Sequence, residues 1–519
     1  MNLLEVLLFL LLCALALGWA SRRFGLPYPI ALVGGGGLLG FIPRLPQLDF
    51  DPQFLLVLVL PPILYQAALL TSWRDFKANL RTISLLAIGL VLATTLVVGA
   101  ALKALIPEIP WAAAFVFGAI VSPPDAVAAT AILSRLNMPR RIVTVLEGES
   151  LVNDASGLVL YKFAVAAVLS GTFSLADASI EFALISAGGI ATGVLLGGLF
   201  VLLHRYLGDP FIEVLLSLSV PYMAYVLAES VGASGVLAVV AAGLLRGRYS
   251  PAMVSAEMRI LARSVWNILV FMLNSLIFIL IGLQLSGIVA RLQGYTGRDL
   301  AAYALTISMI AILVRFAWVY FAEYLPAWLG RLFHRRVAPP LPGEAFIAGW
   351  CGMRGIVSLA AALALPVQTP EGGEFPYRDL IIFLTFAVIA VTLVVQGLTL
   401  APLIGRLKLG SDPGARAEQR KARLSMGRAA LAAIELRAAD DGISSDLAER
   451  VRAEFGDRMA AASPLAQQPD STPALAKRLR LAAVRAERDE LIRMWRNAEI
   501  SDDVLHHLEE ELDYEESRL

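Results

Sequence analysis

Gly148-Glu149-Ser150-Leu151-Val152-Asn153-Asp154 sets two carboxylates inside a stretch that otherwise reads as membrane-buried, from about Ile142 to Leu169. A charge at the middle of a bilayer costs at least about 3 kcal/mol, and ionisable residues kept there mark ion paths and proton relays. At helical spacing Ser150 and Asp154 share one face, and Glu149 and Asn153 share the neighbouring one. Four oxygen-bearing side chains therefore fall within about two turns, a donor set suited to a hard cation such as Na⁺. Asp154 is the natural metal ligand, because either a cation or a proton can neutralise it. Two mutually exclusive occupants of one carboxylate are enough to couple their movements.

Two further segments carry polar groups at membrane depth. Ser122-Pro123-Pro124-Asp125 breaks an apolar run. Consecutive prolines remove two amide donors and free carbonyls of the preceding turn. Freed carbonyls at that depth are tolerated where they line a cavity, and there they can bind a cation. Ser122, Pro123 and Asp125 therefore join Asp154, Asn153 and Ser150 as candidate cation- and proton-binding residues. Gly349-Trp350-Cys351-Gly352-Met353-Arg354-Gly355 forms a second break. Arg354 there is expected to form a structural ion pair with Glu149 that cancels both charges. Arg315 also stands mid-span; it reads as structural, with a partner the sequence does not name. Gly34 to Gly37 read as a site of close helix approach. The four histidines form no metal-binding pattern, and no phosphate-binding loop with its Lys-Ser/Thr is present, so ATP drive and a resident cofactor are not expected.

The elements that must hold these residues follow from hydropathy. The chain has 519 residues, 58% hydrophobic and only 17% charged, against about a quarter charged in soluble domains. About 20 apolar residues cross a bilayer as a helix. That rule gives thirteen spans, near 3–20, 28–43, 53–71, 80–105, 111–134, 140–170, 179–204, 211–230, 234–247, 263–290, 299–323, 343–366 and 380–406. With the N-terminus outside, most loop Lys and Arg fall on the cytoplasmic side, in keeping with the positive-inside rule. One extra helix plus two inverted six-helix halves would place the two breaks at corresponding positions, a pointer to a midplane site. The expected class is thus an all-α membrane protein with interrupted helices: a transmembrane domain over 1–410 and a cytoplasmic helical tail over 411–519. The tail holds 17 Lys and Arg against 22 Asp and Glu, which argues against nucleic acid as a partner. Its helices are expected near 414–439, 443–461, 474–498 and 501–512. Cys13 and Cys351 lie in apolar spans and suggest neither a disulfide framework nor a Cys-based metal site.

Over nearly all of 1–410 the chain resembles the sodium/proton exchangers of the monovalent cation:proton antiporter-1 family, the bacterial branch in particular. Glu149-Ser150-Leu151-Val152-Asn153-Asp154 is similar to that family's Glu-Ser-x-x-Asn-Asp core. Gly352-Met353-Arg354-Gly355-Ile356-Val357-Ser358-Leu359-Ala360 is similar to its Gly-x-Arg-Gly segment, and Leu276–Gly282 matches as well. The resemblance implies a homodimer, a six-helix core moving against a dimerisation domain, and exchange of Na⁺, Li⁺ or K⁺ for H⁺. Asp154 would then bind the ion and the proton, with Ser150 as a ligand, Asn153 in support and Glu149 paired with Arg354. The Asn-Asp pair resembles the electroneutral branch. Two departures stand out: Pro123-Pro124 where the family commonly has Asp-Pro, and Asn274 where many relatives have Glu.

The reading that follows is a secondary antiporter in the plasma (inner) membrane, not an enzyme, with monovalent cations, protons and lipid as its partners. The alternative is a cation channel or a sensor whose output is the tail. A channel passes ions without proton counterflow, so a flux assay with a pH dye separates the two.

Overall fold

The computed structural model describes residues 3–24, 27–42, 52–125, 129–130, 133, 138–171, 174–204, 206–253, 256–292, 294–332, 342–370, 372–407, 413–440, 444–460 and 472–497, with short pieces between 508 and 516. The chain divides into two compact units, Met1–Gly410 and Ser411–Leu519.

The first unit is all-α. Its helices are α1 (Leu3–Phe24), α2 (Tyr28–Gly40), α3 (Pro52–Leu70) and the short α4 (Trp73–Ala78). Then come α5 (Leu80–Leu105), α6 (Trp111–Val121), α7 (Arg140–Ser170), α8 (Leu175–His204), α9 (Pro210–Ser230) and α10 (Gly235–Met253). The unit closes with α11 (Ala256–Arg291), α12 (Gly297–Leu332), α13 (Pro342–Trp350), α14 (Ile356–Leu363) and α15 (Arg378–Leu407). Among the described residues the β pairing is confined to one isolated bridge, Gln368 with Glu374. Helix covers all or part of every predicted span, and among the described residues seven helices are long and apolar enough to cross a membrane unbroken.

The fifth and twelfth spans are not continuous helices. The fifth stops at Val121, ahead of Ser122-Pro123-Pro124. The twelfth is two short helices, α13 and α14, joined by an irregular stretch over 351–355. The remainder of the predicted 111–134 span lies largely outside the described residues. Within α5 a π-helical turn covers Leu85–Leu90, and the Trp318 indole donates to the Leu85 carbonyl at 2.8 Å. A turn of that kind leaves carbonyls without their usual amide, and the indole takes one.

Two apolar cores hold the unit together. The larger draws on α2, α5, α6, α11 and α13 to α15; the second is built mainly from α3, α9 and α10. Helix α7 feeds both, with Ile142 and Leu146 in the first and Leu151 and Ala155 in the second. In lipid, helices associate through close packing at small residues rather than through apolar burial from water. Gly193 on α8 lies against the Ala238 carbonyl of α10, and Gly36 on α2 against the Ile279 carbonyl of α11. Gly36 and Gly37 thus serve the expected close approach to α11, Gly35 packs on Leu17 of α1, and Gly34 faces open space.

The second unit contains α16 (Pro413–Asp440), α17 (Ser445–Ala460) and α18 (Thr472–Arg496), close to three of the expected tail helices. The fourth, near 501–512, falls mostly outside the described residues. Exposed pairs such as Arg450 with Asp446, at i, i+4 and 2.6 Å, run along its surface.

Any side chain at Gly193 collides with backbone that cannot step aside. Gly193→Val is expected to destabilise by about 1–3 kcal/mol or more, read as a lower unfolding midpoint and a loss of monodisperse protein on size exclusion. Gly198→Ala, on the same helix where a Cβ meets nothing within 4 Å, should behave as wild type.

Candidate functional site: two broken helices crossing beside a buried aspartate

Asp154 sits close to the middle of α7. At 1.5 Å per residue it lies about 21 Å from Arg140 and about 24 Å from Ser170. It is 6% exposed, and Asn153 beside it is fully buried. The break after α6 and the break between α13 and α14 meet next to this point. The Asp125 amide donates to the Met353 carbonyl at 2.7 Å, and Arg354 Nε donates to the Val121 carbonyl at 3.2 Å. Gly355 lies so close to Asp125 that a Cβ there would overlap its carboxylate.

The prolines account for the local chemistry of the first break. Pro123 and Pro124 cannot donate to the carbonyls of Ala119 and Ile120, four residues back. Ser122 Oγ takes the Ala119 carbonyl at 2.9 Å. Asn153 Nδ2 takes the Pro124 carbonyl at 2.8 Å, which fixes α7 to the break. The carbonyls of Ala119, Val121 and Pro124 are therefore already engaged by protein donors. The Ile120 carbonyl has lost its amide to Pro124. Fewer carbonyls are on offer to a cation than the proline pair by itself suggests.

Charges compensate the helix ends buried at the crossing. The C-terminal end of a helix carries partial negative charge and the N-terminal end partial positive charge. Arg354 serves the end of α6 and also donates to the Gly352 carbonyl, while its own amide donates to Thr392 Oγ1 at 3.2 Å. Arg315, on α12, donates to the Ala348 carbonyl near the end of α13 at 3.1 Å. The Asp125 carboxylate faces the start of α14 and accepts from the Ile356 amide at 3.4 Å.

The two carboxylates of the Glu149–Asp154 run have different surroundings. Glu149 is 1% exposed and held by both amino groups of Arg315, Nη1 to Oε1 at 2.6 Å and Nη2 to Oε2 at 2.9 Å. This corrects the expected Glu149–Arg354 pair. Arg354 is committed to carbonyls of the crossing, and Arg315 reaches Glu149 from α12 instead. Both arginines are 1% exposed. The signal for the true pair was present in the sequence: Arg315 was a mid-span cation with no assigned partner. What the sequence lacked was the level at which α12 meets α7.

Among the described residues Asp154 has no basic partner. Asp125 stands within Coulombic range of it, and Tyr28 of α2 lies near both Asp125 and Asn274. Asn153 Oδ1 is buried without a hydrogen-bond partner, as are Ser358 Oγ on α14 and Asn274 Oδ1. Of the residues expected at the site, Asp154, Asn153, Ser122, Pro123 and Asp125 come together. The Pro123 ring touches Gly157, one turn beyond Asn153, which keeps α7 against the break. Ser150 is half-buried one turn before Asp154 on the same helix and is not without contacts of its own. Tyr28 and Ser358 were not singled out from the sequence; a hydroxyl within an apolar span carries no signal until its neighbours are known.

A membrane fold in which two interrupted helices cross beside a buried acid defines a secondary transporter. The sodium/hydrogen exchanger transmembrane model matches residues 7–406, and the chain belongs to that family of transporters. It is 35% identical to an uncharacterized Na⁺/H⁺ exchanger of Mycobacterium tuberculosis, over 99% of this chain and 96% of that one. It is 33% identical to a sodium, potassium, lithium and rubidium/H⁺ antiporter of Bacillus subtilis, over 97% of this chain and 76% of that one. The fold is shared with the sodium proton antiporter MjNhaP1 of Methanocaldococcus jannaschii, with a TM-score of 0.63 at 19% identity, covering 79% of this chain and all of the other.

Removing one partner of a buried pair leaves an uncompensated charge, a loss of about 3–5 kcal/mol. Arg315→Gln is expected to lower the unfolding midpoint accordingly. The double variant Arg315→Gln/Glu149→Gln should recover much of the loss. Additive losses in the double-mutant cycle would mean that the two residues do not act as a pair.

Proposed function

We propose that the chain exchanges a monovalent cation, Na⁺ with Li⁺ or K⁺ as further candidates, for H⁺ by alternating access, with the two substrates competing for Asp154. The observation that carries this reading is the contrast on α7. Glu149 is neutralised permanently by Arg315, whereas Asp154 is buried with no basic partner among the described residues. A bare carboxylate at that depth is costly, and a cation or a proton would each relieve it. Asn153 Oδ1, Ser150 and the Ile120 carbonyl are the further oxygen ligands we assign to the cation. Ser122, Pro123 and Asp125 shape the break that presents them.

Exchange is electroneutral on this reading, because one carboxylate alternates between one cation and one proton. Asp125 contributes by holding the start of α14 and does not carry transported charge. We further propose thirteen crossings, N-terminus outside, tail cytoplasmic, in the plasma membrane, as a homodimer. The two apolar cores that meet along α7 support a moving core against a dimerisation domain.

Asp154→Asn in everted vesicles is expected to abolish proton movement on addition of Na⁺, Li⁺, K⁺ or Rb⁺ while the protein remains folded and inserted. Retained exchange in that variant would falsify the mechanism. Electroneutrality has a separate check: the initial rate in proteoliposomes should not change with an imposed membrane potential. A rate that follows the potential would mean that a second group, with Asp125 the first candidate, carries transported charge.

A further inference from the structure

A second polar centre is built from residues that take no part in the crossing. Where α3 ends, α10 leaves its apolar stretch and α11 begins, a cavity of about 350 Å³ opens. Arg246 of α10 and Arg259 and Arg263 of α11 line it, with Gln66, Trp266 and Asn267. No carboxylate stands among the described lining residues.

Arg246 is the informative member. It is 6% exposed, its Nη1 has no hydrogen-bond partner, and it faces the cavity. Glu213 lies within Coulombic range but faces His204, 3.2 Å away, and forms no ion pair with Arg246 among the described residues. Close packing puts Arg246 in this cleft. Gly247 allows α10 against the Leu69 carbonyl of α3, and Gly243 against Ala68. Glu213 and the Tyr65 hydroxyl lie near Arg246, yet its Nη1 is left without a hydrogen-bond partner and the side chain lines the cavity. A buried guanidinium with a free amino group can take an external anion, and its fork suits phosphate oxygens.

The surroundings separate a lipid from a free anion. Leu70, at the rim, is 67% exposed. Along α11, beyond Arg259 and Arg263, the exposed residues Ile268, Phe271 and Met272 continue as an apolar face. The cavity thus joins a cationic pocket at the end of the apolar helices to a surface that only hydrocarbon would cover. Basic pockets between transmembrane helices on the cytoplasmic side bind lipid head groups, and the positive-inside reading puts this end in the cytoplasm.

We propose that the cavity holds the phosphate of an anionic phospholipid, with its acyl chains along the exposed face of α11. The test uses the full-length protein in detergent with added phosphatidylglycerol, phosphatidylcholine or inorganic phosphate. Native mass spectrometry reads retained lipid, and thermal unfolding reads stabilisation. Phosphatidylglycerol should be retained and should raise the unfolding midpoint; phosphatidylcholine and inorganic phosphate should do neither. Arg263→Gln, at an exposed position that folding tolerates, should weaken retention about fivefold, and Arg246→Gln at least as much if it folds. Asp154→Asn should retain lipid as wild type does, since the two sites share no residue. Equal retention by Arg263→Gln and wild type overturns the proposal, as does stabilisation by inorganic phosphate equal to that by phosphatidylglycerol. Loss of retention in Asp154→Asn places the lipid elsewhere and overturns it too.

Discussion

Backbone groups inside a membrane must find partners within the protein, because no water is there to supply them. Breaking two helices at the same depth creates several unpaired amides and carbonyls at one point. The crossing resolves them reciprocally. The Asp125 amide goes to the Met353 carbonyl of the opposite break, and Arg354 returns a bond to the Val121 carbonyl. Asn153 ties the long helix between them to the Pro124 carbonyl. Charges then take the helix ends that remain: Arg315 at the end of α13 and Asp125 at the start of α14. Irregular backbone at this depth is stable only as a pair, each break supplying what the other lacks.

This constraint also sorts the ionisable residues by role. Arg354 is held by the crossing, and its guanidinium is directed at carbonyls. Arg315 reaches both a helix end and Glu149, so one guanidinium satisfies two demands. Once those bonds are made, Asp154 is the buried carboxylate on α7 left without a cation of its own among the described residues. A permanently paired acid cannot exchange anything. On the mechanism we propose, an unpaired one beside oxygen donors can, and that difference rests on the placement of one arginine.

The packing around the crossing follows the rules of a lipid environment. Contacts such as Gly193 against Ala238 and Gly36 against Ile279 bring backbones together where apolar burial from water gives no drive. Helix α7 contributes to two apolar cores, and Asn153 and Asp154 lie between Leu151 and Ala155, its contributions to the second. The same close packing, at Gly243 and Gly247, confines Arg246 to a cleft at the membrane edge. One packing device therefore recurs between the helices of the unit and at the cationic pocket.

Hydropathy alone located the helices, because a bilayer demands about 20 apolar residues per crossing and the chain spells this out locally. Ser122-Pro123-Pro124 and the Gly352–Gly355 run likewise announced the two breaks, since proline chemistry is a property of the residue and not of its neighbours. The Glu149 to Asp154 run marked the site by the cost of charge in an apolar stretch. Pairing was another matter. Arg315 and Arg354 are equivalent in sequence, two lone cations at membrane depth, and which one meets Glu149 depends on the level at which α12 and the 351–355 segment pass α7. The number of carbonyls left for a cation depended in the same way on donors from other helices. Local composition fixes where a charge lies along its own helix; only the packing of separate helices decides which charges meet.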